Sequence, residues 1–125
     1  MSVDTGLTVD VVRYAMGLEH LRARVAAQNI AMANVPGGKV MRLDIAGALQ
    51  SLRAVRNDPA LLAQGLEQAS LGEASIHVQE RPVEGTPALD AEVAELSAAS
   101  GRYQALADGI SRQYALMQLA IRGGR

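Results

Sequence analysis

The chain has 125 residues, with 12 Lys+Arg against 13 Asp+Glu for a formal charge of −1, and no Cys, Trp or Phe. That length fits one domain with a modest core, and the near-neutral charge excludes a general polyanion binder, which needs a basic surplus. Without Cys there is no disulfide, no thiolate chemistry and no Cys-ligated zinc.

Apolar residues make up 49% of the chain but aromatics only 2%. Small and aliphatic side chains without rings suit close helix–helix packing better than a layered β core. Residues 1–7 are small and polar and are expected to form a flexible tail ahead of a single domain over 8–125. Thr8 has the hydroxyl of an N-cap. After it, Val11, Tyr14, Leu18, Leu21, Val25, Gln28 and Met32 recur at spacings of three and four, the seam of a long helix. Pro36 disfavours the α conformation at Val35, and Gly37-Gly38 invites a turn, so this helix is predicted over 8–35.

The middle, 36–85, is less regular. Asp44 is placed to cap a short helix that buries Ile45, Leu49 and Leu52, and Asp58-Pro59 to start another with Leu62, Leu66 and Ala69 inward. Ser75 to Val83 alternates Ile76 and Val78 against His77 and Gln79, which predicts one extended strand with no partner of equal quality. Thr86-Pro87 then resembles a cap with proline at the first helical position. Leu89, Val93, Leu96, Ser100, Tyr103, Ala107, Ile110, Tyr114, Met117 and Ile121 carry a second, longer seam over 86–122. The expected fold is mainly all-α: two terminal helices paired as an antiparallel, coiled-coil-like hairpin, joined by a short irregular middle segment of small helices and one strand.

Catalytic chemistry has little to work with. The sequence holds two His, His20 and His77, and no G-x-S-x-G, H-E-x-x-H, EF-hand loop or phosphate-cradling P-loop. Glu19 and His20 read as solvated positions, His77 as a surface residue open to a subunit contact, and Glu92 and Glu95 as a solvated acidic face. No enzyme, cofactor or metal is expected. No stretch has the roughly 20 apolar residues that a bilayer demands. The first dozen residues carry Asp4 and Asp10 without a basic region, so no cleavable secretory signal is expected. Apolar residues also lie beside both seams, among them Ile30, Ala33, Leu106, Leu116 and Leu119. A helix apolar on several sides implies burial on several sides, and two helices alone cannot supply it. Neighbouring subunits can.

The run from Asn29 through Ile30, Asn34, Pro36 and Gly37 to Lys39 resembles the signature of bacterial flagellar rod and hook proteins, approximately N-I-A-N-A-x-T-P-G-Y-K. Met32, Val35 and Gly38 depart from it, standing where that pattern has Asn, Thr and an aromatic residue. Arg42-Leu43-Asp44, then Leu89-Asp90-x-Glu92, Tyr103-Gln104-Ala105 and Ala120-Ile121-Arg122-Gly123 look most like the proximal rod subunits of that family. The resemblance implies a structural subunit, exported by the flagellar type III apparatus without a cleaved signal and assembled in the periplasmic rod. Its implied partners are other rod subunits, the rod–ring adaptor protein and the export gate, with self-association and neither nucleic-acid binding nor membrane insertion. The implied assembly contacts are Asn29, Ile30, Asn34, Pro36, Gly37, Lys39, Leu89, Asp90, Leu96, Tyr103, Ile110 and Met117. A cytoplasmic helical adaptor or export chaperone, gripping a partner helix through the same seam, is the alternative; it has no need of the Asn29–Lys39 turn.

Overall fold

Two long helices dominate the computed structural model, which describes residues 2–35, 39–71, 78–82 and 88–123. Helix α1 runs Ser2–Ala31, strand β1 Lys39–Leu43, α2 Ile45–Ala54, α3 Pro59–Leu71, β2 Val78–Pro82 and α4 Leu89–Gly123. The 35 residues of α4 make a rod of roughly 50 Å. It packs along α1. The pairing is antiparallel: Arg13 of α1 reaches Tyr114, Glu19 reaches Arg102, and Arg22 reaches Glu95.

Helix α1 begins at Ser2, not at Thr8. The first residues are therefore helix rather than tail, and Thr8 lies inside it. Leu7 is half-buried and Val9 buried, so burial against the rest of the fold supplies what the weak local pattern lacks. At its other end α1 finishes at Ala31 and the chain tightens into turns, with Ala33 N–H donating to Ile30 and Val35 N–H to Met32. The Pro36-Gly37-Gly38 corner, His77, the Thr86-Pro87 cap and Gly124 lie outside the described residues.

The two short helices follow their caps. Asp44 Oδ1 accepts from Gly47 N–H at 2.9 Å at the start of α2. Asp58 Oδ1 accepts from Ala60 and Leu61 N–H at 3.1 and 3.2 Å at the start of α3. Leu52 and Leu66 are buried. A Cβ at Gly65 would sit 3.0 Å from Leu52 Cδ2, so this glycine lets α3 settle closely on α2. The expected extended segment is β2, and it has a partner after all. β1 pairs with it antiparallel, with Met41 opposite Glu80.

The seams follow the periodic lines in part, through Leu21 and Val25 on α1 and Leu96, Ala107 and Ile110 on α4. On α1 the buried positions are Val9, Leu21, Val25, Ala26 and Asn29, while Val11, Gln28 and Met32 face solvent. On α4 Glu92 and Ala99 are buried, and Leu96, Leu106, Ala107 and Ile110 are half-buried. Leu89, Val93, Tyr103, Tyr114, Met117 and Ile121 are exposed. Ala26 and Ala99, at 1% and 0% exposure, mark where small side chains allow close approach of helices. The inward line of each helix is set by alanines and polar residues as much as by large aliphatics.

Candidate functional site

A buried polar site lies between the end of α1 and β1. Asn29 is the largest side chain buried outright, at 2% exposure. Its Nδ2 donates to the Met41 carbonyl at 3.0 Å, and its Oδ1 accepts from the Met41 N–H at 2.8 Å. A carboxamide presents a donor and an acceptor side by side, as a peptide group does, so Asn29 takes the place of a neighbouring strand on β1. It also blunts an edge that would otherwise offer unpaired backbone groups. The Asn29 side chain thus bridges from α1 to the strand.

One residue further along β1, Arg42 Nη1 lies 2.9 Å from Glu92 Oε1. The carboxylate side chain is 9% exposed and the arginine 55%, so the pair is anchored on α4 and open towards β1. Glu92, expected on a solvated face, is therefore an inward anchor. Asn29 and the Arg42–Glu92 pair together tie α1, β1 and α4 at one place, a clasp across the hairpin. The signal in the sequence is spacing: Glu92 falls three and four residues before Glu95 and Leu96, on the face of α4 that carries the half-buried Leu96.

A second polar network crosses the middle of the hairpin. Arg102 Nε donates to Glu19 Oε2 at 2.9 Å, and Arg102 Nη2 to Glu95 Oε1 at 3.3 Å. Arg22 adds a longer contact to Glu95 at 3.7 Å. The hydrogen bond to Glu19 raises the pKa of the Arg102 guanidinium above its ordinary value, holding its proton more firmly. Glu19 was expected to be idle in solvent, yet its side chain is only 13% exposed and engaged. His20 is exposed, but its ring stands 6.3 Å from that of Tyr103, tilted by 52°. Burial also raises the Tyr14 phenol above its ordinary pKa.

The implied assembly residues divide among these regions. Asn29 is in the clasp. Ile30, Leu96 and Ile110 are half-buried, Leu96 and Ile110 on the inward side of α4. Asn34 is exposed in the turn, Lys39 is exposed at the first position of β1, and Leu89 and Asp90 are exposed at the start of α4. Tyr103 and Met117 are 39% and 37% exposed, on the rim of the hairpin rather than in its seam. Pro36 and Gly37 lie outside the described residues. Beyond Ile110, α4 shows Leu116, Leu119 and Ile121 at 63%, 64% and 74% exposure. Sequence reasoning placed Leu116 and Leu119 off the seam, and they are the most open leucines of α4.

Among the described residues no group of three or more His, Cys, Asp or Glu could hold a metal ion, and no helix is long and apolar enough to cross a membrane. Hydrogen bonds and ion pairs fix the hairpin, and uncovered aliphatic surface remains along α4. No family model, curated protein or solved structure matches this chain.

Proposed function

We propose that this chain is a structural subunit of the proximal rod of the bacterial flagellar basal body, self-associating through its terminal helices. The clasp carries this reading. Asn29, Arg42 and Glu92 come from three separate stretches that resemble rod and hook proteins, and the folded chain brings them to one place. A long helix that must stop and send the chain off at a fixed angle has use for such a fastening. Exposed Leu116, Leu119 and Ile121 give neighbouring subunits apolar surface to cover. The subunit has a packing role, needs no cofactor, and is carried outward by the flagellar export apparatus.

Deletion of the gene in its own host, with complementation, tests the reading. Loss of swimming, recovery by the intact gene, and the protein in the basal-body fraction are expected. Normal motility in the deletion strain, or protein confined to the cytoplasm with an export substrate bound, contradicts it and favours the adaptor.

A further inference from the structure

A groove of about 430 Å³ lies between the two long helices, further along α4 than the clasp. Its floor is small and apolar, made by Ala23 of α1 with Ala99 and Ala107 of α4. His20 and Tyr103 line it with their rings, whose centroids are 6.3 Å apart. Gln104 and Asp108, one turn apart on α4, add a carboxamide and a carboxylate. Glu19 also borders the groove, with its charge already offset by Arg102. Among the described residues no Lys or Arg lines it. Asp108 is the group left over. It is exposed, and within the described residues it makes no hydrogen bond or ion pair, even to Arg112 one turn further on. Asp is a weak helix former in a helix interior, so α4 gains nothing from it. A carboxylate without a counter-charge, beside an aromatic ring and above an apolar floor, is the setting that a cation on a short apolar stem requires.

We propose that this groove binds an organic cation, a guanidinium or primary ammonium carried on a short aliphatic stem. The stem lies on the three alanines. The charged head meets the Asp108 carboxylate with the Tyr103 ring alongside, and the Gln104 amide oxygen can accept a further N–H of the head. A neutral molecule of the same shape leaves Asp108 without a counter-charge, and an anion is repelled by it. With one exposed carboxylate and an open groove, binding falls in the millimolar range. The bound cation touches both α1 and α4, and so fastens the hairpin at a place that Asn29 and the Arg42–Glu92 pair do not reach. The same head occurs on a free amine and on an Arg or Lys side chain, and the chemistry of recognition is shared. The proposal goes beyond the rod reading and does not rest on it, since the groove lies within one chain.

The test titrates the full, isotope-labelled chain at low ionic strength with n-butylguanidinium, and separately with n-butylurea, its neutral isostere. Amide shifts should concentrate at residues 19–23 and 99–108. They should saturate with butylguanidinium in the millimolar range and stay small with butylurea over the same range. The melting temperature should rise with butylguanidinium, which binds only the folded chain. Asp108→Asn, at an exposed position, should keep its circular dichroism and bind roughly threefold to fivefold more weakly. Tyr103→Leu, on the rim of the hairpin, should weaken binding by a similar factor. A blocked arginine, acetylated and amidated, separates the sources. Binding as tight as that of butylguanidinium supports a side chain of a partner protein as the cation, and its failure beside bound butylguanidinium supports a free amine. Equal shifts with butylurea, unchanged affinity in Asp108→Asn, or no saturation up to roughly 50 mM overturns the proposal. Motility of the deletion strain does not depend on these outcomes, so the two readings fail separately.

Discussion

The two ends of the hairpin are made of similar residues and are finished differently. At one end Leu21, Val25, Ala26, Asn29, Glu92 and Ala99 are buried, and β1 is fastened across both long helices. At the other, where the first turns of α1 run beside the last turns of α4, Val9 is buried while Tyr114, Leu116, Leu119 and Ile121 stay exposed. The first end has polar groups whose partners are fixed in space. The second offers aliphatic surface with no fixed partner inside the chain. Fixed contacts are therefore concentrated at the clasp, and uncovered aliphatic surface at the open end.

Breaking the clasp should have the largest effect. Asn29→Ala removes both bonds to Met41 and leaves a part-buried N–H and C=O unmet, a loss of about 2–4 kcal/mol. Thermal melting with backbone exchange at β1 checks it, and an unchanged melting temperature would mean that Asn29 does not hold the strand. Asn29→Asp is a finer probe, since it keeps the acceptor for the Met41 N–H and loses the donor for the Met41 carbonyl. Glu92→Gln should cost less, on the order of 1 kcal/mol, because Arg42 is half in water and its partner retains an acceptor. Glu92→Leu, which leaves Arg42 free to turn to solvent, then separates the charge from the packing.

These residues also mark where local pattern was informative. The starts of α2 and α3 were legible because Asp44 and Asp58-Pro59 act within three residues of themselves. The hairpin was legible because two periodic runs of this length have few other ways to bury themselves. The lines of contact were not: Asn29, Glu92 and Ala99 point inward where a count of large apolar residues looks elsewhere. Strand β1, Lys-Val-Met-Arg-Leu, has charged residues at two of five positions. It is held by β2 and Asn29, neither of which is close to it in sequence. The start of α1 at Ser2 was missed because the first residues read as small and polar.

The smallest effect concerns pH. Burial raises the Tyr14 pKa in the folded chain, so the native state keeps that proton at pH values where the unfolded chain has lost it. Stability is then unaffected by this group below the ordinary tyrosine range, and falls as pH rises through about 10 and beyond. Urea melts of wild type and Tyr14→Phe should diverge only at alkaline pH, with the wild type losing stability faster. Parallel curves would mean that the fold does not shield the Tyr14 phenol from water.

Amide hydrogen exchange along α4, at the lowest concentration that gives a signal, compares the two ends most directly. Amides around Glu92 to Ser100, with those of Leu21 to Ile30 on α1, should exchange slowest, and those from Gly109 to Gly123 at least tenfold faster. Raising the concentration should slow the second set as its exposed face is covered. Uniform protection along α4, or slower exchange at its C-terminal half in the dilute chain, would contradict a hairpin clasped at one end and open at the other.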